Sequence, residues 1–536
     1  MRCASSIPSP LPTDRAALLE RLAAPQQYDL AVIGGGATGL GVALDAAARG
    51  FSVVLVEALD FAKGTSSRAT KLAHGGVRYL AQGNIALVRE ALHERTNMLR
   101  NAPHLAQPLP FVMPAYHCWE TPFYGAGLKM YDLLAGKAGL GATEFLGRAG
   151  ALRHLPTLRP DGLKGGVRYW DGQFDDARLA LALARTAASR GALLVNYCAA
   201  RTLAYEGGKV AGLVCADAET GWEFTLRARA VVNATGVWVD ALREQDGAQA
   251  GRSVRPIVAP SQGVHLVVDR EFLPCDHALL VPKTSDGRVL FAVPWLGKVV
   301  LGTTDTPRHD LAREPAPFPE EVAFVLGEAG RYLRRAPQAA DVRSSWVGLR
   351  PLVRPAEDAG AQTRKISREH TVLVSPTGLV TVTGGKWTTY RAMAEDVLDH
   401  CFGGGLLDAR PGGVTADLPL VGAQAPVRHR ISDAPGPHLY GAEQAFVQQL
   451  PGAGHMLGAG LTEAMVRFAA RHEYARTVED VLARRWRLLF LDARLAAELA
   501  PAAAALLWQE TGADPGLAAF LELANRYATL PLQHSA

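Results

Sequence analysis

The chain has 536 residues, of which 48% are apolar and 20% are charged, with 54 glycines and 33 prolines. This length predicts two or three domains with substantial cores, and the composition excludes both a small scaffold and an extended disordered protein. The 56 Lys and Arg residues against 52 Asp and Glu give a net charge of +4, which is too small to indicate binding of nucleic acid by bulk charge.

The six cysteines are scattered, with no CxxC pair and no histidine at the spacing of metal ligands. They predict neither a disulfide framework nor a metal site, and they favour a reducing, cytoplasmic compartment. No apolar run approaches the ~18–20 residues that a membrane-spanning helix requires. Residues 1–27 lack the apolar centre of a secretion signal, and we interpret them as a leader of unknown purpose.

The first strong periodic signal is a strand, turn, helix and second strand. Tyr28–Ile33 is an apolar run of strand character, Thr38–Arg49 has a helical pattern, and Ser52–Val56 is a second apolar run that ends on Glu57. Together they form a unit of ~30 residues that is typical of a parallel sheet.

Further patterns extend along the chain. Strands are predicted at Ala192–Asn196, Ala230–Asn233, Gly263–Val268, Val289–Val293, Val299–Leu301, Thr371–Ser375 and Leu379–Thr383. Helices follow at Tyr390–Cys401, Ala442–Leu450, Leu461–Arg471, Thr477–Leu489, Arg494–Gln509 and Pro515–Tyr527. The Gly- and Pro-rich residues 403–422 therefore precede a helical C-terminal domain.

The first turn carries a dinucleotide-binding fingerprint. Its glycines let the backbone approach a pyrophosphate, and the helix that follows offers free N–H groups and a positive dipole. The binding residues predicted in this turn are Gly34, Gly35, Gly36, Thr38 and Gly39. Glu57, ~20 residues further on, can accept both ribose hydroxyls of an adenosine and would repel a 2′-phosphate, which disfavours NADP. FAD and NAD both fit this pattern.

Several segments resemble the FAD-dependent glycerol-3-phosphate dehydrogenases of the aerobic, respiratory type, in that family's order and over residues 28–494. They are residues 65–80 (TSSRATKLAHGGVRYL), 233–238 (NATGVW), 294–295 (PW), 302–305 (GTTD), 348–352 (GLRPL), 384–391 (GGKWTTYR) and 473–480 (EYARTVED). Looser forms of some segments occur in amino-acid-oxidase-like flavoproteins. The resemblance selects FAD as the cofactor and implies an enzyme.

The resemblance implies an α/β fold in which a Rossmann-like FAD-binding domain is interleaved with an antiparallel-sheet substrate domain, followed by an all-α C-terminal domain. We expect the leader at 1–27, FAD-binding parts at 28–100, 165–250 and 343–402, cap or substrate parts at 101–164 and 251–342, and the helical domain at 403–536.

Further cofactor contacts are predicted in four places. The polar loop after the second strand can donate hydrogen bonds to the pyrophosphate and the flavin edge, and the glycines that follow permit close backbone approach. The resemblance implies cofactor contacts in the other three segments as well, near the adenosine or pyrophosphate at 234–236 and near the flavin at 384–386. The residues are Ser66, Ser67, Lys71, His74, Gly75, Ala234, Thr235, Gly236, Thr304, Gly384, Gly385 and Lys386.

A glycerol phosphate requires a clamp for its dianion, and the planar fork of arginine meets phosphate bidentately. Arg78, Arg350 and Arg368 are the candidate arginines, the last two at positions where the family carries arginine. Tyr79 can bond a substrate oxygen, and Lys386 can stabilise substrate, reduced flavin or both.

The implied reaction is oxidation of the C2 alcohol of sn-glycerol 3-phosphate to dihydroxyacetone phosphate, with hydride passing to flavin N5. His265 is the first candidate for the base that takes the hydroxyl proton, and His74 is the second. His74 is equally well explained as a core histidine satisfied by backbone. Arg350 would hold the developing alkoxide, and Lys386 would act beside the flavin.

The family passes electrons to a membrane quinone, which implies peripheral association with the inner face of the plasma membrane. Residues 123–137 combine aromatic and aliphatic side chains with Lys129 and Lys137 and could lie at that interface, or form an internal amphipathic helix of the cap. A homodimer is a further expectation. Three alternatives stay open: an oxidase using O2, an amine or amino-acid oxidase, and a non-catalytic FAD-binding sensor or electron-relay protein.

Overall fold

The structure is a computed structural model that describes residues 9–76, 84–354 and 370–531. Two large sheets dominate it, and each collects strands from distant parts of the chain. The first contains β1 (Gln27–Ile33), β2 (Val53–Val56), β7 (Leu193–Val195), β8 (Cys198–Glu206), β9 (Lys209–Asp217), β10 (Glu223–Asn233), β17 (His370–Val374) and β18 (Leu379–Gly384).

The first sheet is parallel at its centre. Its strands β18, β10, β1, β2 and β7 are neighbours in that order and all run in parallel, which is the doubly wound arrangement that the first strand and helix predict. β1 and β2 are almost entirely buried because helices cover both faces of the sheet. The helices that flank it are α1 (Arg15–Ala23), α2 (Ala37–Ala48), α3 (Ile85–Asn101), α6 (Asp176–Ser189), α7 (Val239–Gln249) and α9 (Tyr390–Gly403).

The second sheet is antiparallel except where β4 meets β12. Its strands are β3 (Leu72–Ala73), β4 (Ala106–Ala115), β5 (Glu144–Gly147), β6 (Gly165–Phe174), β11 (Val258–Asp269), β12 (Ala278–Val281), β13 (Leu290–Trp295), β14 (Lys298–Gly302), β15 (Thr306–Pro307) and β16 (Ser344–Val353). The helices α4 (Glu120–Ala135), α5 (Arg148–His154) and α8 (Pro319–Tyr332) belong to the same part of the chain.

The second sheet contains two strands that the sequence patterns assigned to the FAD-binding domain, so two predicted domain boundaries are wrong. β6 pairs with β4 from Phe174 to Gly165, and β16 pairs with β11 over ten positions from Ser344 to Val353. Both strands lie in ranges that were predicted to belong to the FAD-binding domain, 165–250 and 343–402. Their backbone hydrogen bonds place them in the substrate sheet instead.

The C-terminal helices share a core with the second sheet. They are α10 (Gln444–Gln449), α11 (Glu463–His472), α12 (Leu488–Leu491), α13 (Ala493–Thr511) and α14 (Leu517–Ala528), accompanied by the short strands β19 (Met456–Gly458) and β20 (Leu461–Thr462). The Ala-rich α13 packs closely because its buried side chains are mostly small. Trp295 and Trp346 of the sheet lie in the same apolar cluster as this helix, so the domain covers one face of the sheet.

Two segments pack more closely on the first domain than their predicted boundaries imply. In the range predicted as a leader, α1 buries Leu18, Leu19 and Leu22 in the apolar core around the first sheet. The Arg15 side chain of the same helix forms an ion pair with Asp217 of β9. In the range predicted to open the C-terminal domain, Thr415 donates a hydrogen bond to Asp45 of α2 at 2.7 Å. Part of each range is therefore structurally continuous with the FAD-binding domain.

Within the described ranges, none of the helices has both the length and the apolar character needed to cross a bilayer.

Candidate active site

A cavity of ≈1640 Å³ lies between the two sheets, and both contribute to its wall. The first sheet contributes the turns after β1, β2, β10 and β18, and the second contributes residues of β11 and β16 and the turn after β14. Ligands of doubly wound sheets bind beyond the carboxyl ends of the parallel strands, so this is where the sequence pattern predicts a dinucleotide.

The glycine turn leaves room for a pyrophosphate and for close packing of helix on strand. Gly34 has a φ of +111°, and a Cβ there would lie 2.6 Å from the carbonyl oxygen of Ala234. A Cβ on Gly39 would lie 1.9 Å from the carbonyl oxygen of Gly34. Gly36, which has no side chain, is the N-cap of α2 and lines the cavity, and the first backbone N–H of the helix, that of Ala37, donates to Ser66 Oγ at 2.9 Å. These residues fit the phosphates of FAD.

Glu57 forms the adjoining wall at the end of β2. Its carboxylate accepts hydrogen bonds from the backbone N–H groups of Gly35 at 2.6 Å and Leu59 at 2.9 Å. Burial raises the pKa of this carboxyl, and the charge of Arg313 opposes the rise. The two backbone donors fix the carboxylate in the cavity wall, and its contact with a ribose stays a prediction.

Most of the predicted cofactor residues line this cavity. Those that do are Gly34, Gly36, Thr38, Glu57, Ser66, His74, Ala234, Thr235, Gly236, Thr304, Gly384, Gly385 and Lys386. Gly35, Gly39 and Gly75 act in packing: a Cβ on Gly75, for example, would lie 2.2 Å from the hydroxyl oxygen of Tyr131.

Lys71 does not have the predicted cofactor role. Its side chain is fully buried, and its ammonium donates to the carbonyl oxygen of Ser67 and to the carboxylate of Asp176, each at 2.7 Å. The same ammonium lies over the ring of Trp295, 5.0 Å from its centroid. Burial lowers the pKa of Lys71 to about 7. Ser67 is buried with it and is absent from the cavity wall, so both predictions are corrected in favour of structural roles.

His265 lies in β11 and forms part of the cavity wall. Its Nε2 lies 3.0 Å from the hydroxyl oxygen of Thr70, and its ring stacks on Trp346 at 5.3 Å between centroids. Within the described residues its Nδ1 has no hydrogen-bond partner. Burial, with the nearby positive charges of Lys71 and Arg350, holds the pKa of His265 well below its usual range. The imidazole is therefore neutral near pH 7 and one ring nitrogen keeps its lone pair, while the same burial and charges oppose its protonation.

Arg350 lies in β16, which pairs with β11. Its partner in β11 is Ser261, and His265 follows four residues later in the same strand. Its guanidinium donates to the carbonyl oxygens of Gln262 at 3.2 Å and Thr304 at 2.9 Å, and to the hydroxyl of Thr303 at 3.1 Å. Gly263 makes room for it, since a Cβ there would lie 2.2 Å from the guanidinium. A fixed cation thus lies in the cavity wall beside the His265 ring.

The other predicted catalytic residues, His74 and Lys386, line the same cavity. Gly384 and Gly385, which precede Lys386, have φ values of +83° and +68°, a conformation that glycine adopts without strain. The chain then turns into Trp387–Thr389 and α9, so a helical N-terminus faces the cavity as predicted.

Three predicted substrate residues, Arg78, Tyr79 and Arg368, lie outside the described residues. The fold also adds wall residues that sequence reasoning did not single out, among them Thr70, Thr303, Trp238 and Arg313. Thr70 and Thr303 stand inside segments that carry the family resemblance, which was a usable signal. Arg313 has no such signal, because it lies in a loop without a motif.

Comparison with known proteins agrees with this geometry over almost the whole chain. A profile of the family described as FAD dependent oxidoreductase matches residues 29–391, and one described as the C-terminal domain of alpha-glycerophosphate oxidase matches residues 413–516. The mitochondrial glycerol-3-phosphate dehydrogenase of Mus musculus is 42% identical over 535 residues, covering 93% of this chain and 72% of that protein. The chain belongs to the family of FAD-dependent glycerol-3-phosphate dehydrogenases.

Solved structures of related proteins support this assignment. The X-ray structure of the glycerol-3-phosphate dehydrogenase from Bacillus halodurans, complexed with FAD, superposes with a TM-score of 0.75 at 31% identity, covering 97% of this chain and 99% of that one. The L-alpha-glycerophosphate oxidase of Mycoplasma pneumoniae superposes with a TM-score of 0.57 at 16% identity, covering 74% of this chain and 99% of that one, which shows a shared fold alone. The family resemblance, the FAD cofactor and the fold class predicted from the sequence are confirmed.

Proposed function

We propose that this member of the glycerol-3-phosphate dehydrogenase family oxidises the C2 alcohol of sn-glycerol 3-phosphate to dihydroxyacetone phosphate. The observation that carries the proposal is the shared cavity: His265 and Arg350 stand in its wall together with the glycine turn and Glu57. In this proposal an alcohol bound beside the flavin meets a base in His265 and a cation in Arg350. The relatives named above, similar over more than nine-tenths of this chain, support the choice of substrate.

FAD, when bound, supplies the acceptor for the hydride that leaves C2. The residues of the chain do the rest. Neutral His265 takes the proton of the C2 hydroxyl through a ring nitrogen, and Arg350 stabilises the negative charge that develops on the oxygen. Lys386 and the helical N-terminus behind it favour negative charge at the flavin edge. His74 is the second candidate for the proton transfer.

The phosphate of the substrate requires positive charge from more than one side chain. We assign this to Arg350 together with Arg78 and Arg368, with Lys386 and Tyr79 contributing to the same site. Arginine suits the task because its fork can donate two parallel hydrogen bonds to one phosphate group.

Product analysis tests the substrate assignment. The purified holoenzyme is incubated with sn-glycerol 3-phosphate and an artificial electron acceptor, and dihydroxyacetone phosphate is measured against acceptor reduced. One ketone per electron pair supports the proposal. Acceptor reduction by glycine or another amine, with none by glycerol 3-phosphate, would support an amine or amino-acid oxidase instead.

We infer further that electrons leave to a quinone and that the protein binds peripherally at the inner face of the plasma membrane. The support comes from α4, whose residues Phe123, Met130 and Leu133 are 66%, 52% and 81% exposed. Phe123 and Met130 also line the cavity, so exposed apolar side chains of α4 adjoin the proposed FAD site. A homodimer stays a prediction.

The acceptor is tested by following reoxidation of substrate-reduced enzyme. A soluble quinone analogue should reoxidise the flavin much faster than dissolved oxygen does. Rapid reoxidation by oxygen with release of hydrogen peroxide would favour the oxidase alternative.

A further inference from the structure

Residues 308–318 form an irregular segment between β15 and α8 that borders the cofactor part of the cavity. Arg313 of this segment lines the cavity. Glu57, the residue predicted to meet the adenosine ribose, lines the same cavity, and the positive charge of Arg313 opposes the rise in pKa that burial gives its carboxyl. That predicted role puts the segment beside the adenosine half of the FAD site.

Two residues of the cavity wall hold this segment. Trp238 donates its indole N–H to the carbonyl oxygen of Leu311 at 3.1 Å. Arg68 donates to the carbonyl oxygen of Arg313 at 3.1 Å and to the carboxylate of Glu314 at 2.6 Å. Both Trp238 and Arg68 line the cavity themselves, so the segment is bonded directly to the wall around the cofactor.

A third bond comes from the C-terminal helical domain. The hydroxyl of Tyr527, in α14, donates to the other oxygen of the Glu314 carboxylate at 3.3 Å. Tyr527 is buried, with its ring packed edge to face on Phe490 at 5.6 Å between centroids. The Glu314 carboxylate thus accepts hydrogen bonds both from Arg68 of the cavity wall and from Tyr527, which lies 213 residues further along the chain.

We propose that residues 308–318 act as a clasp that retains FAD, and that the contact between Glu314 and Tyr527 makes the C-terminal domain the anchor of that clasp. Arg68 is only 5% exposed, so opening the clasp would strip a buried guanidinium of its carboxylate partner. Separating a buried charge pair is costly, and this cost slows the opening through which the cofactor leaves.

The test is the rate at which the holoenzyme releases FAD, followed by the rise in flavin fluorescence after dilution. Tyr527→Phe removes one hydroxyl and keeps the ring in its packing. One lost hydrogen bond corresponds to release that is about three- to tenfold faster. Tyr116→Phe is the matched control, because Tyr116 donates a bond of 2.9 Å to the carbonyl oxygen of Arg159 and is not part of the cavity wall.

Glu314→Gln is the second variant and carries the test if Tyr527→Phe does not fold. Thermal unfolding of the FAD-free forms identifies the variants that are folded. Faster release from a folded clasp variant, with the wild-type rate in Tyr116→Phe, is the expected result. Release at the wild-type rate from both folded clasp variants, or equal acceleration in the control, would overturn the proposal. Neither measurement involves substrate, so the outcome is independent of the proposed reaction.

Discussion

The proposed proton transfer depends on one imidazole. Replacing His265 with Asn should leave the FAD content unchanged and slow reduction of the flavin by substrate about 10²- to 10⁴-fold, the usual contribution of a general base. Single-turnover absorbance under anaerobic conditions measures this rate. His277→Asn is the control, since the His277 ring lies 4.5 Å from that of His154, tilted by 41°, and is not part of the cavity wall. If His265→Asn reduces the flavin at the wild-type rate and His74→Asn does so much more slowly, His74 and not His265 is the base.

Arg350 is proposed to bind the substrate through its planar guanidinium. Lysine keeps the charge but loses the planar fork, so Arg350→Lys should raise the half-saturating substrate concentration for flavin reduction about tenfold or more. Titration of the reduction rate with substrate gives the value. Arg335→Lys, at an exposed residue that pairs with Glu271, is the matched control. An unchanged half-saturating concentration in Arg350→Lys would remove Arg350 from substrate binding.

Residue positions were predictable from the sequence where a short motif determines the local geometry. The glycine turn, Glu57 and the Gly384–Gly385 turn fall into this class, because each lies at the carboxyl end of a strand that its own apolar pattern predicts. Lys71 does not: the carboxylate that pairs with it belongs to Asp176, 105 residues further along the chain. Only the fold decides that this ammonium faces a carboxylate and three aromatic rings rather than a phosphate.

The proposal of membrane binding rests on the exposed apolar side chains of α4 and of Trp119, the residue just before this helix. Replacing Leu133 and Trp119 together with Ser should weaken binding to vesicles of anionic phospholipid about tenfold or more, because each side chain loses the free energy of entering the apolar layer. Co-sedimentation with vesicles measures it. Neither residue lines the cavity, so flavin reduction by substrate should be unaffected.

A matched control is available on another surface. Trp222 is 64% exposed beside β10, and Trp222→Ser removes an apolar side chain of similar exposure to that of Trp119 at 58%. Vesicle binding that falls equally in Trp222→Ser, or that is unchanged in the α4 variant, would contradict the assignment of this face.

Elements with regular apolar patterns were predicted well, and irregular strands were missed. β4 contains Pro108, Pro110 and Pro114, and proline normally argues against a central strand. β4 pairs with β6 along its whole length but with β12 only at Phe111 and Val112. Each proline therefore lies beside one neighbouring strand, β6, where hydrogen bonds are needed on one edge of β4 alone. The domain limits at 165 and 343 failed for a related reason: strand pairing across the chain, not local pattern, assigns β6 and β16 to a sheet.

For the whole molecule, buried histidines predict a loss of stability in acid. Burial and the charge of Arg178 lower the pKa of His104 to about 3, and His265 is also lowered. Below the ordinary value near 6.5 the unfolded chain binds protons that the folded chain does not, so the free energy of unfolding falls as pH falls, by about 1.4 kcal/mol per unit for each such histidine. For His104 the loss extends from about pH 6.5 down to about 3.

Comparison of wild type with His104→Gln isolates this contribution. Urea unfolding between about pH 7 and about pH 5 should show a shallower acid dependence in His104→Gln than in the wild type. His429→Gln, at a half-exposed histidine, is the control for replacing a histidine elsewhere. Parallel curves for all three proteins would show that His104 is protonated in the folded state.

In the proposed function, the two sheets flank a site in which FAD meets glycerol 3-phosphate. The decisive experiment is to mix the oxidised holoenzyme anaerobically with sn-glycerol 3-phosphate and follow the flavin band near ~450 nm. We expect rapid bleaching by glycerol 3-phosphate and none by glycerol, which lacks the phosphate that the candidate arginines are proposed to bind. A flavin that stays oxidised at saturating glycerol 3-phosphate would overturn the proposed function.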